Sequence, residues 1–352
     1  MNVLIDARLL SRKKTGIGIY LENLIQSYIE EEAYQKITLL VEDKSQVPIN
    51  FKINERFQTK STSCKTFIIW DILILSFKLY FGKYDIIHFP TYIGVLFKNK
   101  NIKVLNTVHD IYYHLIPGYF SKNKIVDWVK RSYFDVLIKG SLNISDHIYS
   151  VSKTTATDLK RVFGIKSRIT FNGYNRKNST KINSKIIEYP FEPNSFYLYV
   201  GNLRSNKNIK FLLECFKNYS YHQLLIAGNY DTIPFKSIPT NVQFIGYQDE
   251  HSLKWLYRNA RAFIFPSLYE GFGLPILEAL SNHTVVFSSN SGSLTEFKNP
   301  NIKFFNPTIK EELIELLNKD VEFDHQFNED NFFMSYNWHK NLKIIHETNF
   351  KK

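Results

Sequence analysis

The stretch FPSLYEGFGLPILEAL, residues 265–280, places two carboxylates, Glu270 and Glu278, eight positions apart around Gly271-Phe272-Gly273. The apolar run 262–266 before it reads as a buried strand, and 274–280 reads as a helix. Pro275 suits the first helical position, where its missing N–H costs nothing. Gly271 to Leu274 would then precede the helix with unpaired amides. Such amides attract anions, phosphate above all, and the glycines let a ligand approach the backbone closely. Glu270, at the strand end, faces the same ligand, and Glu278 is read one turn deeper, in the first helical turn. Carboxylates placed in this way accept hydrogen bonds from sugar hydroxyls. Glu278 alone has a plainer reading, because an acid early in a helix gains ~0.3–1 kcal/mol from the dipole. That reading does not account for Glu270-Gly-Phe-Gly as a unit.

Elements that could position these residues recur along the chain. Short apolar strands are expected at 3–6, 37–41, 86–89, 104–109 and 147–151, with an amphipathic helix over 16–31. Residues 175–195 are polar and contain two prolines, which reads as a linker. A second series follows, with strands at 196–201, 223–228, 242–246, 262–266 and 284–288 and helices at 209–216, 274–280 and 310–317. This βαβ rhythm predicts an α/β protein of two doubly wound parallel domains. The expected boundaries are 1–175, a linker at 176–195, 196–330 and a C-terminal segment at 331–352. Ligands of open α/β sheets bind beyond the carboxyl ends of the strands. Two such domains facing each other would bring Gly16, His109, Gly201, Lys207 and the 265–280 stretch to one cleft.

Composition narrows the classes. The chain has 352 residues, 44% of them hydrophobic, enough for two cores. Its two cysteines, Cys64 and Cys215, stand far apart and outside any Cys/His cluster, so they read as reduced core thiols of a cytoplasmic protein. The opening MNVLIDARLL reads as a first strand and not as a signal peptide. The apolar run 66–81 carries Asp71 and Lys78 and is shorter than the ~20 residues of a membrane span, so a buried or surface-lying helix is expected. The net charge of +12 belongs wholly to residues 1–180, which hold 27 Lys and Arg against 15 Asp and Glu. That asymmetry points to an anionic partner, and a lysine-rich genome would also contribute. No nucleic-acid-binding motif accompanies the charge, so nucleic acid is not an expected partner.

The 265–280 stretch resembles the E-x7-E signature of retaining glycosyltransferases of family 4, which have the GT-B fold. The resemblance extends over most of the chain: TGIGIY at 15–20, YDIIHFP at 84–90, NTVHDIYYHLIP at 106–117, VSKTTATDLKRVFGI at 151–165, FNGY at 171–174, and YLYVGNLRSNKNIKFLLECF at 197–216. One E-x7-E is weak evidence, whereas this ordered set is strong. The resemblance implies that Glu270 binds hydroxyls of the donor hexose, helped by the amides of Phe272, Gly273 and Leu274. Glu278 would hold the ribose. Lys207 and Arg204 would neutralise the diphosphate, His109 would contact the donor sugar, and Gly16 would let its loop approach the diphosphate and acceptor. Phe244 to Tyr247 would line the base pocket. The segment 331–352 resembles the family's last helix, which crosses back to the N-terminal domain, with Trp338 as its anchor. One departure stands out: where the family often has arginine before this lysine, the chain has Asn206, and Arg204 lies two residues earlier. His88 and His147 read as structural.

Cleaving the anomeric bond leaves negative charge on the departing nucleotide. Preorganised positive charge and amide dipoles would stabilise it, each such donor contributing ~2.7–4 kcal/mol. No Asp-x-Asp occurs in the chain, so neither a metal nor any other cofactor is expected. The GIGIY loop and LYEGFGLP resemble the subgroup with O-antigen and capsule mannosyltransferases, which makes GDP-mannose the expected donor. A UDP-sugar or a deoxysugar nucleotide is the alternative, and a non-catalytic sugar-nucleotide binder is a further one. The expected acceptor is a glycan or lipid-linked oligosaccharide at the inner face of the cytoplasmic membrane. The basic, aromatic segment 119–140 could lie on anionic lipid there, or simply pack on the sheet.

Overall fold

A computed structural model describes residues 1–10, 16–47, 54–116, 118–174, 191–217, 219, 221–230 and 232–350. Most of the expected linker, Thr15 and Pro117 lie outside the described residues. The chain divides into two compact units, Met1–Asn172 with Trp338–Lys352, and Gly173–Asn337. Residues 331–337 therefore belong to the second unit.

The first unit runs β1 (Asn2–Asp6), α1 (Gly16–Glu30), β2 (Lys36–Val41), β3 (Phe57–Ser61), α2 (Ile69–Tyr80), β4 (Ile86–Phe89), β5 (Lys103–Val108), the short α3 (Tyr112–Leu115), α4 (Lys124–Ile144), β6 (His147–Ser150), α5 (Lys153–Phe163) and β7 (Arg168–Ile169). Its sheet has the order β3-β2-β1-β4-β5-β6-β7, and every pairing is parallel. The inner strands read as largely apolar runs because helices cover both faces of such a sheet. Ser152 caps α5 through the Thr155 amide, and Gly164 ends it in the left-handed conformation, the residue types that each end of a helix favours.

The second unit runs β8 (Phe196–Val200), α6 (Ile209–Lys217), β9 (Gln223–Ala227), β10 (Val242–Gly246), α7 (Glu250–Asn259), β11 (Phe263–Phe265), α8 (Leu274–Ser281), β12 (Val286–Ser289), β13 (Ile302–Phe305), α9 (Lys310–Leu317) and α10 (Glu329–Met334). Its parallel sheet has the order β10-β9-β8-β11-β12-β13. In both units the strand order reverses beside the first strand, at β1/β4 and at β8/β11. Connections leaving the two central strands there diverge to opposite faces and open a crevice at the carboxyl ends. The C-terminal segment is broken. After α10 the chain resumes as α11 (Trp338–Phe350), which packs in the first unit, where the buried Trp338 ring lies 5.9 Å from Tyr20. Cys64 and Cys215 are both buried and free.

Candidate active site

In the second unit, the chemistry gathers at the β8/β11 switch point. The loop after β8 carries Arg204 and Lys207, and the loop after β11 carries Glu270. Two glycines shape the floor. A Cβ on Gly228 would fall 1.8 Å from the Gly201 carbonyl oxygen, so the ends of β8 and β9 approach each other more closely than any side chain allows. Asn208, in the left-handed conformation at φ 57°, then ties the β8 loop to the strand ends by donating to the Pro266 and Pro307 carbonyls at 3.3 and 2.8 Å. Only Asn, Asp and Gly adopt that conformation cheaply.

Asn206 has a clear local role. Its carbonyl accepts the Leu268 amide at 2.7 Å, and its side-chain amide donates to the Tyr269 carbonyl at 3.2 Å. The position that often holds arginine in similar chains is here a clasp between the two loops. Lys207 follows, with Nζ donating to Glu270 Oε1 at 2.5 Å and lying 5.3 Å above the Phe265 ring. These side chains are only 15% and 13% exposed, so the pair is largely withdrawn from water. Arg204 projects from the same loop, exposed, and its guanidinium has no partner among the described residues.

The turn after Glu270 is held from behind. Ser293 Oγ lies 2.8 Å from the Glu270 carbonyl and 3.0 Å from the Phe272 carbonyl. Gly271 leads into Phe272, whose buried ring packs on Phe297 and Tyr336 at 5.3 and 5.8 Å. Gly273 has φ 112°, and a Cβ there would meet Leu294 at 2.7 Å, so glycine is required twice over. The amides of Gly273 and Leu274 have no acceptor among the described residues, as expected at a helix start. Helix α8 begins at Leu274, which makes Pro275 its second residue and puts Glu278 in the second turn; no acid occupies the first. That corrects the reading of Glu278 as a first-turn acid and removes the helix dipole as its explanation. Its carboxylate accepts the Tyr257 hydroxyl at 3.0 Å.

Around the carboxyl ends of β9 and β10, Phe244 packs against Tyr230 at 5.7 Å and Phe235 at 6.2 Å, and Tyr230 Oη accepts the Gly246 amide at 2.9 Å. Tyr247 stands 62% exposed beside them. This aromatic corner is where a flat base could stack.

In the first unit, Gly16 opens α1, and a Cβ there would touch nothing within 4 Å among the described residues. Packing in its own unit therefore does not demand glycine. His109 lies one residue past β5, its ring edge-on to Tyr20 at 4.7 Å. Burial holds its pKa down to about 4, against a smaller opposing effect of a hydrogen bond to the Pro90 carbonyl. The imidazole is thus neutral at pH 7. Nε2 is buried without a partner among the described residues. With the ring proton directed at Pro90, that nitrogen is a bare acceptor suited to a hydroxyl. His88 is structural, bridging the Thr107 and Tyr28 hydroxyls at 2.9 and 3.0 Å, and Tyr20 donates to the same Thr107 at 3.0 Å. His147 is partly buried at the start of β6.

Sequence reasoning missed Tyr20 as the neighbour of His109, although Tyr20 closes the quoted GIGIY. It also missed Tyr257, Ser293, Tyr230 and Asn208. The first two lie 21 and 23 residues from their partners, and no local pattern announces such contacts.

Two family models match the chain. Residues 39–176 match the model of Glycosyltransferase Family 4, and residues 182–331 match that of Glycosyl transferases group 1, together most of the chain. O-antigen chain mannosyltransferase B of Escherichia coli is 26% identical over 214 residues, which cover 55% of each chain, so the alignment spans about half of that relative. O-antigen chain mannosyltransferase RfbU of Salmonella typhimurium is 26% identical over 262 residues, covering 71% of this chain and 69% of its own. Among solved structures, the Anabaena protein HepE, determined with UDP and glucose, superposes with a TM-score of 0.72 at 15% identity over 99% of both chains. With two doubly wound parallel sheets, the E-x7-E turn at a switch point and both family models in order, the chain belongs to the family 4 glycosyltransferases of GT-B fold.

Proposed function

We propose that the protein transfers mannose from GDP-mannose to a glycan or lipid-linked oligosaccharide of a bacterial surface polysaccharide, with retention of anomeric configuration and without a metal. The observation that carries this reading is the Lys207–Glu270 pair at the β8/β11 switch point, a cation and a carboxylate within 2.5 Å of each other at a glycine-rich helix start. Lys207 and Arg204 neutralise the diphosphate, and the Gly273 and Leu274 amides add dipoles where negative charge develops on departure. Glu270 accepts hydroxyls of the hexose, and Glu278, held by Tyr257, accepts those of the ribose. The neutral His109 offers Nε2 to a sugar hydroxyl. The base stacks at Phe244 and Tyr247. With front-face attack, the donor phosphate itself takes the acceptor proton, so no side chain needs to be a covalent nucleophile. The similarity to two O-antigen mannosyltransferases supports mannose. The acceptor end of the reaction lies at the inner face of the cytoplasmic membrane.

A UDP-hexose donor is the second reading, favoured by the UDP and glucose in the HepE structure. A thermal-shift screen against GDP, UDP, CDP and dTDP, in EDTA, separates the two. A ligand at a hundred times its Kd stabilises by ~2.7 kcal/mol. A response to GDP alone, clearly reduced in Lys207→Met, is the expected result. A response to UDP alone replaces the donor, and no response to any nucleotide overturns the transferase reading.

A further inference from the structure

Helix α2 is apolar on two sides. It buries Ile72, Leu75 and Leu79 against the sheet, yet also turns Trp70, Ile74, Phe77 and the following Phe81 outward. These positions fall at i, i+4, i+7 and i+11, one continuous stripe, and Trp70 is 71% exposed. Helix α4 repeats the pattern, burying Leu137, Ile138 and Leu142 while Ile125, Trp128, Val129 and Val136 face out, Trp128 at 67% exposure. The two helices are joined. Tyr133 Oη of α4 accepts the Ile69 amide at 2.9 Å and donates to the Phe67 carbonyl at 3.2 Å, while Phe67 packs on Phe134 at 5.8 Å. Among the described residues, most of the exposed large hydrophobic side chains lie between positions 67 and 136. A patch of this kind marks an interaction surface.

Charge decides what it meets. The three carboxylates of these helices are engaged within the protein. Asp71 accepts the Lys65 amide at 2.8 Å, Asp127 pairs with Arg131 at 2.9 Å, and Asp135 accepts the Tyr113 hydroxyl at 2.7 Å. Lys65, Lys78, Lys122, Lys124, Lys130 and Lys139 are exposed and take no carboxylate partner among the described residues. Apolar side chains projecting between unpaired lysines match an anionic lipid surface, with acyl chains to take the rings and headgroups to take the ammoniums. No described helix is long and apolar enough to cross a membrane.

We propose that the outer faces of α2 and α4 together form a docking surface for an anionic lipid bilayer, with Trp70, Phe77 and Trp128 inserted at headgroup level. The inference deepens the acceptor side of the proposed function and rests on it for its role, while the binding itself needs no donor. The test is flotation of the full chain with vesicles of phosphatidylcholine alone or with a third of phosphatidylglycerol. Wild type should float with the anionic vesicles only, and its tryptophan emission should shift to the blue. Trp70→Ala with Phe77→Ala should cut the partition coefficient roughly tenfold or more. Lys130→Glu should cut it about fivefold or more, with salt acting in the same direction. Glu270→Gln should float as wild type, so loss of the transferase reading and loss of this one are distinguishable. Failure to float, or flotation indifferent to the Trp70/Phe77 change, overturns the proposal. So does a dimer in solution that the same change dissociates, since the face would then belong to a second copy.

Discussion

The Lys207–Glu270 pair makes a prediction with opposite signs for its two members. Lys207→Met leaves the Glu270 carboxylate beside an apolar side chain, and Glu270→Gln leaves the ammonium without its counter-charge. Breaking a fully buried pair costs ~3–5 kcal/mol, and with 13–15% exposure solvent relieves part of that, leaving about 1–3 kcal/mol. For a unit of this size that is a fall of roughly 3–9 °C in apparent Tm. The double variant removes both charges and should recover most of the loss. Nucleotide binding should separate the two single variants. A charged hydrogen bond contributes ~1.5–3 kcal/mol, so Lys207→Met should raise the Kd for nucleoside diphosphate by roughly 10–150-fold. Glu270→Gln removes a carboxylate that repels the diphosphate and competes for Nζ, so it should leave that Kd unchanged or lower it several-fold, while abolishing transfer. Isothermal titration and scanning calorimetry on the three variants read both quantities. A Kd within twofold of wild type in Lys207→Met would reduce Lys207 to a structural partner. Equal weakening in both single variants would refute the division of roles.

Three further outcomes follow from the geometry. Gly228→Ala, with its Cβ 1.8 Å from a carbonyl oxygen, should prevent the second unit from folding, whereas Gly16→Ala meets no atom within 4 Å and should stabilise α1 by up to ~1 kcal/mol while lowering kcat/KM; full activity in a well-folded Gly16→Ala protein would remove that residue from the donor loop. Burial lowers the pKa of His88 to about 3 and those of His109 and His346 to about 4. The unfolded chain, with pKa near 6.5, then binds more protons below that pH, so stability is full above pH 6.5 and falls toward pH 4 by at most ~1.4 kcal/mol per pH unit per histidine. Urea titrations across that window should show the slope, reduced by about one histidine's share in His346→Gln, and a flat profile would contradict the buried neutral rings. Tyr257→Phe removes the donor held 3.0 Å from Glu278 and should raise the donor KM several-fold with little change in kcat, as for a contact made equally in ground and transition states.

Much of this fold was legible because both sheets are parallel and covered on both faces, so their inner strands are plain apolar runs. Strands at 86–89 and 242–246 match at both ends the observed β4, an inner strand, and β10, an edge strand that keeps the mostly apolar run VQFIG. The strands that escaped reading are β3, β7 and β13. Each is an edge strand. FQTKS is polar after its first residue because much of it faces solvent, and Arg168–Ile169 is only two residues long. The candidate site was legible where the chain is local: Glu270 to Gly273 form one turn, in which the φ of 112° and the nearness of Leu294 require glycine at 273. It was illegible where folding brings distant side chains together, as with Tyr257 on Glu278, Ser293 behind Glu270, and Asn206 clasping two loops. Residues 66–81 were read as a buried or surface-lying helix, and α2 is both, because its apolar residues exceed what one face can bury.

The measurement that bears most directly on the central claim is transfer itself. The purified chain is incubated in EDTA with a panel of nucleotide-sugars and a lipid-linked or short glycan acceptor, and the products are resolved by mass spectrometry. The account predicts one hexose added from GDP-mannose, with GDP released and an α-linkage retained from the α-configured donor. It also predicts a loss of at least ~100-fold in Lys207→Met, by analogy with removal of one preorganised donor to developing negative charge. Transfer that survives Lys207→Met and Glu270→Gln undiminished, or transfer that requires an added divalent cation, would contradict it.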